Sequence, residues 1–302
     1  MTATPADLPV PRQSFRDLPV LAVAAVWGSS FLVVKEVADP GTALAVLVLR
    51  FGLVLPPLGL AAWPALRRLT RREWLGGAAL GLVLGGIFLL ETYGAVHTSA
   101  TNAGLIISLT MVFTPLADSA LRRTRPSRPF LAAAGLSVLG VALLTADGGL
   151  RAPSAGDLLV LAAAVVRTAF VLATARSRAV ADTDSLALTW VQLASATAVF
   201  ALAAPFAGPS PLALAAEFGA AGWGLLLYLS LFCTVFAFFV QAWAVRATSP
   251  SRVSLLLGTE PLWAAVFGIA VAGDRPGAAA LLGGLCVLAG TEWGRRTAQT
   301  PA

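Results

Sequence analysis

Three charged residues lie deep within apolar stretches of the sequence. Arg50, Arg167 and Glu260 each stand roughly seven to ten residues from the end of an apolar run, which is about 10–15 Å along a helix. A charge at the centre of a bilayer costs about 2.5–3.5 kcal/mol on insertion scales, so these side chains should face a helix-bundle interior or a water-filled cavity. Two interpretations are open. The residues pair with one another, for example Arg167 with Glu260, or an arginine binds an anionic ligand group and Glu260 exchanges a proton.

A second set of candidates consists of polar and aromatic residues flanked by apolar ones. Glu91 lies about one turn from the end of its run, where it either reaches water or shares a vestibule with Tyr93. The others are Trp27, Ser30, Asn102, Trp190, Gln192, Gln241 and Trp263. Aromatic rings with a few polar groups are typical of a largely apolar binding pocket. The alternative is ordinary helix packing with hydrogen bonds between helices.

The composition shows which solvent surrounds most of the chain. Hydrophobic residues make up 58% of the 302 positions and charged residues 12%, with a mean hydropathy of +0.82. Soluble domains carry roughly a quarter charged residues, so lipid must surround much of this chain, and membrane lipid is an expected partner. A pI near 10.6 suggests nucleic acid in a soluble protein. Here the basic residues separate apolar runs, so we expect no nucleic-acid partner.

Apolar runs long enough to cross a membrane recur along the whole sequence, which predicts an all-α polytopic membrane protein. Spans are predicted at 18–37, 41–62, 74–95, 101–121, 130–146, 157–175, 185–206, 220–243, 253–272 and 276–293. Roughly sixteen basic residues fall in alternate connectors and the two tails, against about three on the opposite side. This positive-inside bias predicts a multi-pass protein of the cytoplasmic membrane with both termini in the cytosol.

The chain contains a weak internal repeat. AVHTSATNAG at 95–104 corresponds to AVRATSPSRV at 244–253, and the span that follows each contains a proline, Pro115 or Pro261. Five spans per unit is an odd number, so the second unit would be inverted relative to the first, as in many secondary transporters. The two prolines are predicted helix breaks that line a midplane site. The predicted organisation is a cytosolic tail (1–17), a first half (18–146), a second half (147–293) and a second cytosolic tail (294–302).

Several short motifs occur in a recognisable order. They are WGSSF (27–31), LRF (49–51), YGAVHTSATNAG (93–104), EPLWAAVFG (260–268) and GGLCVLAG (283–290). In this order and spacing the sequence resembles the EamA family of the drug/metabolite transporter superfamily. The resemblance implies ten transmembrane helices in two inverted five-helix repeats and transport of a small-molecule substrate. Val166 and Arg167 depart from the family's usual aromatic and small residue, and Asp274 replaces a glutamate, so the substrate class does not carry over.

The sequence therefore predicts a secondary-active transporter that moves a small metabolite or drug-like molecule across the cytoplasmic membrane by alternating access. A proton-coupled exporter is one hypothesis. An intramembrane lipid-modifying enzyme and a non-transporting scaffold or sensor are the alternatives. No phosphate loop, GxSxG or HExxH motif occurs, and one histidine and two separated cysteines offer no metal-ligand pattern. We therefore expect no enzymatic activity, cofactor or metal. The oligomeric state stays open, and a monomer is compatible with the sequence.

Overall fold

The computed structural model describes residues 14–145, 153–247, 253 and 256–299, and the regular structure in these residues is helical. The first part of the chain forms α1 (Ser14–Val37), α2 (Ala43–Leu66), α3 (Arg71–Val96), α4 (Ala100–Ile107), α5 (Thr110–Arg122) and α6 (Arg128–Thr145). The second part forms α7 (Ala155–Arg176), α8 (Ser185–Ala203), a 3₁₀ turn (Ala204–Phe206), α9 (Pro211–Glu217), α10 (Ala220–Leu227), a π-helix (Tyr228–Phe236), α11 (Ala237–Ala247), α12 (Glu260–Ala270) and α13 (Ala278–Gln299).

Many of these helices have the length and composition of membrane spans. Within the described residues seven segments meet both conditions: Asp17–Val37, Ala43–Leu66, Arg71–Val96, Ala100–Arg122, Ala155–Arg176, Ser185–Phe206 and Ala220–Gln241. Three shorter apolar helices are Arg128–Leu143, Glu260–Ala270 and Ala278–Gly294. Each predicted span falls on one of these ten segments, although 130–146 and 253–272 include positions outside the described residues. The protein is thus an all-helical chain with multiple apolar helices.

The fourth predicted span is interrupted, but not at its proline. α4 ends at Ile107 and α5 begins at Thr110, with the Leu109 amide donating to the Ile106 carbonyl at 3.1 Å in a tightened turn. Pro115 lies inside α5, so the prediction that it breaks the helix is wrong. Membrane helices tolerate such a proline because neighbouring helices and local adjustments compensate for the lost hydrogen bond.

The second predicted break coincides with its proline. Pro261 is the second residue of α12, and a turn at 258–259 precedes this helix. The Thr259 amide donates to the Leu256 carbonyl at 3.1 Å in that turn. A proline fits the first turn of a helix because its fixed φ suits the helix and the missing N–H has no partner there. The interruption therefore directly precedes Glu260.

Glycines set the close approach of α3 to α8. Gly77, Gly81 and Gly85 recur at every fourth position and lie on the face of α3 that contacts α8. A Cβ atom at position 81 would stand 2.5 Å from the carbonyl oxygen of Gln192. Only a hydrogen atom fits at this contact, so the three glycines allow the backbones of α3 and α8 to approach closely.

Candidate functional site

A cavity of about 340 Å³ lies among α1, α2, α3, α7, α8, the π-helix, α11 and α12. This volume is at the lower end of the range of small-molecule sites, about 300–1,000 Å³. Eight of the predicted site residues line it: Trp27, Ser30, Arg50, Glu91, Arg167, Gln192, Gln241 and Glu260. Helices from distant parts of the sequence therefore bring most of the predicted charged and polar residues to one place.

Two of the predicted tryptophans lie outside the cavity. The indole N–H of Trp190 donates to the Leu55 carbonyl at 2.9 Å, and its ring packs edge-on against Trp74. Trp263 packs beside Gly28, where a Cβ atom would stand 2.6 Å from Trp263 Cβ. Both residues therefore join helices to one another.

Two other predicted residues also lie outside the cavity. The Asn102 amide nitrogen donates to Asp157 Oδ1 at 3.3 Å, and the Tyr93 carbonyl oxygen lies 2.7 Å from His97 Nδ1. Tyr93 is not among the residues that line the cavity with Glu91. Asn102 contributes to a link between helix ends that is described below.

Several lining residues were not predicted. They are Phe31, Val34, Leu84, Ile87, Phe88, Thr92, Ala95, Phe170, Val171, Thr189, Cys233, Thr234 and Phe238. Most are apolar, and in a membrane helix an apolar residue at the cavity has the same sequence pattern as one that faces lipid. Only the rotation of each helix about its axis separates the two, and hydropathy does not specify that rotation.

Arg167 pairs with Glu91 through its Nη2 atom and Glu91 Oε1. The example pairing predicted from the sequence, Arg167 with Glu260, is not the one formed. The reason is the order of the helices, since α7 packs directly against α3, whereas α12 packs against α1 and α4. The Glu91 side chain is 12% exposed and that of Arg167 is 35% exposed, so the pair lies partly in the cavity.

Arg50 has a different environment. Its residue exposure is 8%, and its Cζ atom lies 5.1 Å from the ring centroid of Phe51 and 5.6 Å from that of Phe88. Its guanidinium group forms no hydrogen bond or ion pair within the described part of the chain, and the buried Nε atom has no partner there. The cation is therefore held by aromatic rings rather than by a carboxylate.

Glu260 is the first residue of α12 and is partly buried. Its side chain lines the cavity. A negative charge is favourable at a helix N-terminus because of the helix dipole. The carboxylate forms no hydrogen bond or ion pair with a described residue, so it is open to a ligand or a proton.

The π-helix shapes one wall of the cavity. The Thr234 hydroxyl donates to the carbonyl of Leu229, five residues earlier, at 3.0 Å. The Cys233 carbonyl accepts a hydrogen bond from the Trp27 indole at 2.9 Å, and the Ser230 hydroxyl donates to the Arg50 carbonyl at 2.9 Å. The π-helix is therefore hydrogen-bonded to two cavity residues, Trp27 of α1 and Arg50 of α2. Nothing in the sequence marks this wider helical turn.

The lining residues are less accessible at one end of the cavity, the closed end, than at the other, the open end. At the end where α1 and α3 finish, Ala95 is 0% exposed, Thr92 3% and Val34 7%. At the opposite end, where α7 finishes and α8 begins, Val171 is 40% exposed and Thr189 is partly exposed. The lining of the cavity is therefore more accessible at the second end.

Hydrogen bonds join the helices at the closed end. The Thr98 hydroxyl donates to Asp157 Oδ1 at 2.6 Å, and Lys35 Nζ donates to the Thr98 carbonyl at 2.6 Å. The Thr101 hydroxyl donates to Asp274 Oδ2 at 2.8 Å. The start of α4 is thus connected both to the start of α7 and to the segment that follows α12.

Comparison with known proteins identifies the family. The model of the EamA-like transporter family matches residues 15–146 and, separately, residues 154–292. The chain belongs to the EamA-like transporter family. This family is part of the drug/metabolite transporter superfamily, so the family predicted from the sequence motifs is confirmed.

Similar proteins agree with this placement. Two proteins of Archaeoglobus fulgidus are each described as an uncharacterized transporter. One is 28% identical over 280 residues, which cover 88% of this chain and 92% of the relative. The other is 26% identical over 260 residues, which cover 86% of this chain and 79% of the relative. One solved crystal structure aligns with a TM-score of 0.61 at 19% identity, over 93% of this chain and 96% of the other, and shows a shared fold.

These findings support a membrane transporter with a small-molecule substrate. EamA-like proteins are generally not enzymes. In the part of the chain that the structure describes, no three His, Cys, Asp or Glu side chains are grouped as metal ligands.

Proposed function

We propose that this EamA-like protein is a secondary transporter that carries a small organic molecule across the cytoplasmic membrane by alternating access. The central observation is the cavity itself, which contains four charged residues within apolar helices and is closed at one end. Charges in such helices are rare and mark the paths of substrates and ions. A site near the middle of the membrane that is open to one side is what alternating access requires.

We further propose ten spans in two inverted halves, 18–146 and 147–293. The family model matches the chain twice in succession, which supports this division. The helix contacts support it as well. If α1, α2, α3, α4–α5 and α6 correspond in order to α7, α8, α10–α11, α12 and α13, the most extensive contacts have counterparts. The contact between α3 and α7 corresponds to the contacts of α1 with the π-helix and α11. Three further contacts each join two helices that correspond to one another, so each is its own counterpart: α2–α8, α4–α12 and α6–α13.

The distribution of basic residues supports an orientation. With the N-terminus in the cytosol, α1 runs outward, and the closed end of the cavity, where α1 finishes, is the outer end. The open end beside Thr189 then faces the cytosol. The described conformation is the inward-open state of the proposed cycle.

A proton gradient is the energy source that we propose. The cavity contains two arginines and two glutamates, so it is close to neutral when all four are ionised. Glu260 is the carboxylate without a described partner, and its proton uptake would change the charge of the site without breaking the Glu91–Arg167 pair. The charges in the cavity thus favour Glu260 over Glu91 as the coupling group.

Counterflow in proteoliposomes tests the proposed function. Liposomes loaded with one unlabelled compound receive a trace of the same labelled compound, and the panel includes organic acids, amino acids, nucleosides, sugars and cationic drugs. We expect at least one class to exchange faster than in protein-free liposomes. Ser30→Trp, which fills the cavity, should abolish this exchange. Leu60→Trp is the matched control, because Leu60 is 80% exposed on the bundle surface.

The proposal is wrong if no class exchanges, or if Ser30→Trp exchanges as fast as the wild type while correctly folded. The first result would favour a scaffold or a lipid-modifying enzyme. The second would place the transport path outside the cavity.

A further inference from the structure

The guanidinium group of Arg50 is held in a way that leaves its hydrogen-bond donors available. Phe51 and Phe88 contact the cation through their rings, at 5.1 and 5.6 Å from Cζ. A guanidinium group carries five N–H donors in its plane, in a fork that matches a carboxylate. Contacts with rings satisfy the charge in part but occupy none of these donors. The buried Arg50 Nε atom has no described partner, and Arg50 lines the cavity.

Gln192 also lines the cavity, but its amide nitrogen is buried. Three buried side-chain atoms lack a partner in the described part of the chain: Arg50 Nε, Gln192 Nε2 and Thr174 Oγ1. The two that belong to cavity-lining residues are both N–H donors. Gln192 is 6% exposed and its unpartnered nitrogen has almost no accessible surface, so Arg50 is the residue that recognises an anionic group of a ligand.

The cavity is close to neutral when its four charged residues are ionised, so its charges favour at most a single negative charge on the ligand. Arg167 is already paired with Glu91, so Arg50 is the cavity arginine without a carboxylate partner among the described residues. One such cation balances one negative charge and not two. Phe88, Phe170 and Phe238 also line the cavity and offer apolar surface to the rest of a ligand.

We infer that the cavity binds an organic monocarboxylate, with the carboxylate on Arg50 and an apolar or aromatic body against the phenylalanine rings. This inference rests on the proposed function for its place in a transport cycle, but binding can be measured without transport. A cationic ligand would instead have to use Glu260, whose negative charge is already favoured by its position at the start of α12.

Three probes with the same phenylpropyl skeleton test this inference by isothermal titration calorimetry on the full chain in detergent. They are 3-phenylpropionate, the neutral 3-phenylpropionamide and the cationic 3-phenylpropylamine. We expect the wild type to bind the acid at least about tenfold more tightly than either analogue, which corresponds to about 1.4 kcal/mol. Arg50→Gln should reduce the affinity for the acid by about tenfold or more and leave that for the amide unchanged. Arg50→Lys, which keeps the charge but loses the fork, should show a smaller loss.

Arg72→Gln is the matched control, since Arg72 is an exposed arginine at the start of α3. Size-exclusion profiles and thermal unfolding identify variants that do not fold. If Arg50→Gln does not fold, the comparison of the three probes on the wild type and on Arg50→Lys decides. Any one of four results would overturn the inference. The wild type binds the three probes equally, prefers the amine, or binds none of them up to 10 mM (about 2.7 kcal/mol of affinity). The fourth is that folded Arg50→Gln binds the acid as tightly as the wild type. Failed counterflow with intact selective binding would instead overturn the proposed function alone.

Discussion

The charged residues of the cavity differ in how their charges are satisfied. Arg167 and Glu91 form an ion pair across α7 and α3, whereas Arg50 is held by two aromatic rings and Glu260 has no described partner. The difference separates residues that join helices from residues that are available to a ligand or a proton. Substitution of an ion-paired residue should therefore lower stability, whereas substitution of Arg50 or Glu260 should alter binding or transport.

Glu91→Gln should destabilise the folded protein. The change leaves the partly buried Arg167 without its counter-ion, and an unsatisfied group of this kind costs about 1–3 kcal/mol. We expect the apparent midpoint of thermal unfolding in detergent to fall by several degrees. The double variant Glu91→Gln/Arg167→Gln should lose less stability than the sum of the two single variants. Strict additivity would show that the pair contributes no coupling.

Glu260→Gln should remove the pH dependence of transport. The other charged residues at the cavity are Arg50, Glu91 and Arg167. The Glu260→Gln variant keeps the ion pair between Glu91 and Arg167. We expect the exchange rate of the compound found by counterflow to vary between pH 5 and 8 in the wild type, because Glu260 is the proposed proton carrier. In the variant the rate should be constant within about twofold. Glu36→Gln, at an exposed position of α1, is the control. An unaltered pH profile would exclude Glu260 as the coupling group.

At the scale of the helices, glycines decide which pairs approach closely. Gly81 contacts the backbone of α8, whereas a Cβ atom at Gly86 on the same helix would meet nothing within 4 Å. The two positions share one helix and one residue type. They therefore separate the effect of contact from that of helix propensity.

Gly81→Ala should destabilise the protein and Gly86→Ala should not. Both changes gain about 1 kcal/mol of helix propensity. The new methyl group at position 81 would stand 2.5 Å from the Gln192 carbonyl, and overpacking typically costs about 1–3 kcal/mol. Thermal unfolding of the two variants in the same detergent measures the difference. Equal stability would mean that α3 and α8 can separate at no cost.

Much of the helix placement follows from hydropathy alone. The predicted spans fall on helical segments because an apolar run in a membrane can satisfy its backbone hydrogen bonds only within itself. The site follows less completely. Glu91 is the partner of Arg167 because α3 packs on α7, and this neighbour relation is a tertiary property. The interruption at Ser108–Leu109 and the π-helix carry no proline or composition signal that predicts them.

At the scale of the whole molecule, the closed end of the cavity must open for a substrate to cross the membrane. The start of α7 is connected there to the α3–α4 connector by the hydrogen bond from Thr98 to Asp157. These residues belong to the two proposed halves. In the proposed cycle this contact is broken when the halves rock, so transport depends on the separation of these two side chains.

The most direct test joins these two positions covalently. Thr98→Cys and Asp157→Cys are combined in a chain in which Cys233 and Cys286 are alanine, and counterflow is measured before and after reaction with a short, reducible bifunctional thiol reagent. The side chains now meet at 2.6 Å, so the reagent can span them. Asp118→Cys with Arg122→Cys, both within α5, is the control pair. We predict that the cross-link between positions 98 and 157 stops exchange, that reduction restores it, and that the control cross-link has no effect. Exchange at an undiminished rate with the 98–157 cross-link complete would contradict alternating access through this cavity.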